Sequence, residues 1–212
     1  MAQARLLYVM DPMCSWCWGF APVVEALAEQ AQAAGVPLRL VAGGLRTGGG
    51  AALDQVTRNY ILEHWHEVER LTGQPFRFDG AMGDGFVYDT EPACRALVAA
   101  RNLDAGSAWP LVKRIQQAFY AEGRDVGQPG VLVGLAEAVG IPRIEFVEAF
   151  DSDEQRAATA ADFAWVQDLG IAGFPTLLAE RDGQLALLTN GYQPLEQLAP
   201  LLARWLERGA HA

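Results

Sequence analysis

The sequence has little cysteine, almost no lysine and no long hydrophobic run. Three cysteines in 212 residues cannot make a disulfide framework. A chain of this length needs no such staples, because it can bury a core of its own. Lys113 is the single lysine, so 15 of the 16 basic residues are arginine, against 26 acidic residues. The net charge of −10 repels nucleic acid and anionic membrane surfaces and excludes both as main partners. No stretch approaches the ~18 uncharged apolar residues of a membrane helix. The uncharged run from Pro12 to Val24 is too short and holds two cysteines and two prolines. The opening residues lack a charged segment, an apolar segment and a small-residue cleavage site in that order, which predicts a cytoplasmic protein. At 51% hydrophobic and 20% charged residues, the chain is globular.

What is present reads as an α/β protein. Leu6–Met10 is a short apolar strand and Leu38–Ala42 a second. Between them, Cys14 to Gln32 carries Val23, Val24, Leu27, Ala28 and Ala31 at helical spacing, with Pro22 predicting a kink. The unit is β-α-β, which implies a parallel pair. Helical patterns then follow over Gln55–Leu71, Glu91–Asn102, Ala108–Glu122, Gly130–Val139 and Pro142–Phe150. A capping box at Ser152–Gln155 opens another, running to Leu169. Thr176–Glu180 and Leu185–Thr189 flank an Asp-Gly turn and predict a hairpin. Pro194–Arg208 closes the chain as an amphipathic helix. One sheet from both ends, residues 1–50 and 170–212, with a helical insert over 51–169, satisfies this order.

Cys14-Ser15-Trp16-Cys17 follows a strand and opens a helix. Residues at i and i+3 share a helix face, close enough for the two sulfurs to bond and separate without backbone rearrangement. At the helix start, free amide N–H groups and the positive end of the dipole stabilise a thiolate, which makes Cys14 the nucleophile. Cys17, one turn deeper, is the resolving thiol. A zinc site is the rival reading, but Cys94, His64, His66 and His211 offer no second chelating pair. His64 and His66 point about 200° apart on a helix and read as helix-face residues. Cys94 reads as a small buried hydrophobe. The run Gly43–Gly50 lacks the lysine of a phosphate loop and reads as a flexible exit from the second strand. Trp16 and Trp18 flank the thiols, either as an apolar rim for substrate or as ordinary packing. Gly173-Phe174-Pro175-Thr176 places a proline at a strand start, where its missing N–H costs nothing.

Together these motifs resemble the thioredoxin fold with a helical insert, the DsbA-like branch. The string from Asp11 to Phe20 is similar to its protein-disulfide isomerases, related to the FrnE-like proteins. The resemblance runs nearly end to end. It implies thiol–disulfide exchange on protein or peptide disulfides, with Cys14, Cys17 and Pro175 as catalytic residues. It implies a cis Phe174–Pro175 bond against the thiols, and a Phe174 backbone that docks an extended chain. Trp16 and Trp18 would line that site. Asp11 would relay a proton for Cys17, unless it is an ordinary turn aspartate before Pro12. No bound cofactor or metal is called for; a thioredoxin- or glutathione-type reductant would recycle the pair. Ser-Trp stands where periplasmic relatives carry Pro-His, which argues against a strongly oxidising potential. Two rival activities share the fold or the site. Glutathione-dependent isomerases and kappa-class transferases carry a serine at the position of Cys14, and a client-binding chaperone would use the tryptophans alone.

Overall fold

The computed structural model describes residues 4–210; residues 1–3, read above for a leader, and His211 lie outside them. Four strands form one mixed sheet in the order β2-β1-β3-β4. β1 (Ala4–Met10) pairs parallel to β2 (Leu38–Ala42) and antiparallel to β3 (Thr176–Arg181), which pairs antiparallel to β4 (Gln184–Asn190). The β3–β4 turn is tight because Asp182 and Gly183 both take positive φ, 52° and 78°, the geometry an Asp-Gly centre favours. α1 (Ser15–Ala33) connects β1 to β2 and runs on through Pro22. Between β2 and β3 stand α2 (Gln55–Thr72), α3 (Glu91–Leu103), α4 (Ala108–Tyr120), α5 (Pro129–Ala138), α6 (Arg143–Asp151) and α7 (Asp153–Asp168); α8 (Leu195–Ala210) ends the described chain. No helix among the described residues is long and apolar enough to cross a membrane.

Alternation along β1 divides its side chains between two faces. Leu6, Tyr8 and Met10 enter a core with Cys17, Phe20, Val24 and Leu27 of α1, and with Leu198 and Leu202 of α8. Val9 faces the other way, against Val41 and Val166 of α7. A second core fills the helical region. There Trp65 meets Phe76, Phe119 and Tyr120 at ring distances of 5.0–5.5 Å. The ion pair of Arg101 (α3) with Asp162 (α7), at 2.7 Å, ties the helices to β2. Arg101 also donates to the Leu40 carbonyl, while Asp162 accepts from the Ala42 N–H. These bonds occupy backbone groups on the open side of an edge strand.

The two cores meet along α1, where Gly19 lets α2 come close. A Cβ at that position would lie 2.8 Å from the side chains of Val68 and Thr72. Gly19→Ala is expected to destabilise the fold by about 1–3 kcal/mol through overpacking. The check is a urea midpoint that falls at unchanged slope.

Candidate functional site: a thiol pair under a cavity

Cys14 is the N-cap of α1, one residue outside the helix that the sequence predicts to begin there. Its extended backbone turns the chain into the helix, and its carbonyl accepts the first helical bond from Trp18 N–H at 3.1 Å. An N-cap side chain reaches back over the third helical residue, which here is Cys17. The two thiols are close enough to influence each other, and neither is joined to another cysteine. Cys14 is 6% exposed and Cys17 fully buried. Burial, above all, pushes the Cys17 thiol well up from its ordinary range. Of the two thiols, only Cys14 reaches the surface.

The strand start before β3 supplies the facing wall. The Phe174–Pro175 bond is cis, and Cys14 Sγ–H donates to the Phe174 carbonyl at 3.7 Å. Gly43 makes room for this wall: a Cβ there would fall 2.4 Å from the Phe174 ring. Above Cys14 opens a cavity of about 650 Å³, within the usual size range of ligand sites. Its lining includes Ser15, Trp16, Arg46, Tyr60, His64 and Phe174.

Asp11, three residues before Cys14, is fully buried. It makes a turn, as Oδ1 accepts from Met13 N–H at 2.8 Å. Its Oδ2 accepts from Leu45 N–H at 2.7 Å and from the Cys94 thiol at 3.3 Å. Burial holds its carboxyl above the usual carboxylate range, although these donors and the Thr90 hydroxyl pull it partly back. Among the described residues, no three His, Cys, Asp or Glu side chains gather as a metal site.

Two expectations need correction, and a third needs an addition. Trp18 is no part of a substrate rim. It is 8% exposed, stacks on Tyr120 at 6.2 Å and donates its indole N–H to the Pro75 carbonyl. Its position on α1 turns it into the helical core, whereas Trp16 turns out to the cavity. The exit from β2 is anchored at its start. Gly43 N–H bonds the Met10 carbonyl, Leu45 N–H bonds Asp11, and Arg46 exchanges bonds with Thr90. Cys94 is buried as expected, but it is also a polar partner of Asp11. Sequence reasoning missed Arg46, Tyr60 and Tyr88 entirely, because they reach the site from loops and from α2. It set His64 aside, and no local signal marks any of the four.

A model of the DSBA-like thioredoxin domain matches residues 5–203. The chain belongs to the DSBA-like thioredoxin family. Among solved structures, one from Nitrosomonas europaea carries the provisional description protein disulfide isomerase. It is 42% identical, with 97% of this chain and 98% of that chain covered and a TM-score of 0.90. The cytosolic disulfide reductase DsbM of Pseudomonas aeruginosa is 36% identical, over 95% of this chain and 98% of that one, with a TM-score of 0.79. It has also been solved with GSH. Among curated proteins, the ClpXP adapter SpxH of Halalkalibacterium halodurans is 21% identical over 87% of the chain. This DSBA-like chain spans 62% of that relative's length.

Proposed function

We propose that the protein is a thiol–disulfide oxidoreductase that reduces protein or peptide disulfides through Cys14 and Cys17, and is itself re-reduced by a glutathione-type thiol in the cytoplasm. The observation that carries this reading is the placement of Cys14. It lies at a helix N-terminus, at the floor of an open cavity and 3.7 Å from the Phe174 carbonyl. A substrate chain laid along the Phe174–Thr176 backbone would bring its disulfide over that sulfur. The 36% identity to a cytosolic disulfide reductase supports the compartment and the reducing direction, and that reductase's structure with GSH supports the recycling thiol.

The chemistry has two steps. The Cys14 thiolate attacks a substrate disulfide; a mixed disulfide forms, and one substrate thiolate leaves. Cys17 then attacks Cys14, the Cys14–Cys17 bond forms, and the second substrate thiolate leaves. Two electrons pass from the protein dithiol to the substrate. The Cys17 proton passes to Asp11, which is buried beside it and poised toward neutrality by that burial.

The test is a trap. Cys17→Ala retains the nucleophile and loses the resolving thiol, so incubation with a disulfide-containing peptide should leave a stable adduct on Cys14, visible by intact mass and released by a small thiol. Absence of the adduct, with the variant folded, would remove the reading.

A further inference from the structure

The hydroxyl of Tyr8 is a buried polar group with no hydrogen-bond partner among the described residues. Tyr8 lies in the middle of β1, between Leu40 of β2 and Leu177 of β3. It is 0% exposed, and its ring packs against Phe20 at 5.9 Å and Trp109 at 6.2 Å. β1 sends this side chain toward α1, into the core that holds Cys17. Cys17 is the titratable neighbour that acts most strongly on the phenol, although the resting thiol makes no hydrogen bond to it.

A buried orphan of this kind asks for a reason. Phenylalanine would fill the same volume and leave nothing unpaired, so packing alone does not account for the hydroxyl. A neutral thiol is a poor acceptor; a thiolate is a strong one. Cys17 becomes a thiolate when it resolves the mixed disulfide, and again as the leaving group when a recycling thiol attacks Cys14. That sulfur is sealed from water, so its charge must be met by donors already in place. The Asp11 backbone N–H is one.

We propose that Tyr8 is a further catalytic residue, whose hydroxyl donates a hydrogen bond to the Cys17 sulfur as it ionises and attacks Cys14. The proton leaves Cys17 for Asp11, the Cys17–Cys14 bond forms, and the bond from Cys14 to the substrate sulfur breaks with its electron pair on the substrate. Tyr8 keeps its own proton throughout. Burial pushes its phenol well above the usual range, so it acts as a donor and not as an acid. The inference rests on the exchange reading of the Cys14–Cys17 pair.

Tyr8→Phe tests it in single-turnover reactions with a peptide disulfide, quenched with acid and followed by intact mass. Formation of the Cys14 adduct should match the unmodified protein. Its decay should slow by about ten- to a hundredfold, the worth of one hydrogen bond to a charged group, so the adduct accumulates. The thermal midpoint should stay or rise, because an unpaired hydroxyl has gone. Decay at the unmodified rate would overturn the proposal. A lowered midpoint would do so too, since the hydroxyl would then be paired in the resting protein. If the unmodified protein forms no adduct and turns over no disulfide, the exchange reading fails first and on its own evidence.

Discussion

Cys14→Ser is expected to lower turnover of a peptide disulfide by about a thousandfold or more, with the fold intact. The loss follows from chemistry rather than placement. A hydroxyl is far less acidic than a thiol, and oxygen is a poor nucleophile toward sulfur. Cys17 cannot substitute, because it is fully buried behind Cys14 and burial holds its thiol up. Stability should not suffer. Cys14 occupies the N-cap without a side-chain capping bond, and serine is among the best residues there. The variant should match the parent in urea midpoint, or exceed it slightly, while losing both turnover and adduct formation. Retained turnover would move the nucleophile elsewhere.

That site was legible where the chemistry is local. A strand, two cysteines at i and i+3, and a following helix are contiguous, so spacing alone brings the sulfurs together. The hairpin was legible for the same reason, since Asp182-Gly183 is read within four residues. The helix starts expected at Gln55, at Gly130 and at the Ser152 capping box fall within a residue of those observed. The rest depends on contacts between distant segments, and no periodicity encodes those. Nothing in the residues around Trp18 says that Tyr120, more than a hundred positions away, will cover it. Nothing around Gly43–Gly50 says that Asp11 and Thr90 will tie the loop down. Cys94 shows the limit most clearly. Its stripe on α3 correctly predicted burial, but its partner is a carboxylate 83 positions earlier. The cis state of Phe174–Pro175 has no local signature either and was expected only through the family resemblance.

Asp11→Asn carries the second large effect. On the proposed proton route through Asp11, the resolving step should slow by about 10²–10⁴-fold, and the mixed disulfide on Cys14 should accumulate nearly as in Cys17→Ala. The same variant has a stability signature whose sign can be worked out. The folded Asp11 carboxyl titrates above the ordinary carboxylate value because it is buried. It is therefore at ease while protonated, and its contribution to stability is complete below the unfolded value of about 3.9. That contribution drains away as pH climbs through the raised folded value. Asparagine does not titrate, so the variant's unfolding free energy should fall less steeply across that acid-to-neutral window. Its amide turns one donor toward the N–H groups of Met13 or Leu45, which moves the whole curve but not its slope. The other titratable groups facing Asp11 are Cys94 from α3, Cys14 and Cys17 at the start of α1, Tyr88 before α3 and Tyr120 at the end of α4. Burial raises Cys17, Cys94, Tyr88 and Tyr120, which places their titration on the alkaline side, in both proteins. Urea unfolding from pH 4 to 7.5 reads the slope, and adduct decay reads the chemistry. Parallel stability curves with unchanged decay would leave Asp11 a turn residue and send the Cys17 proton to another acceptor.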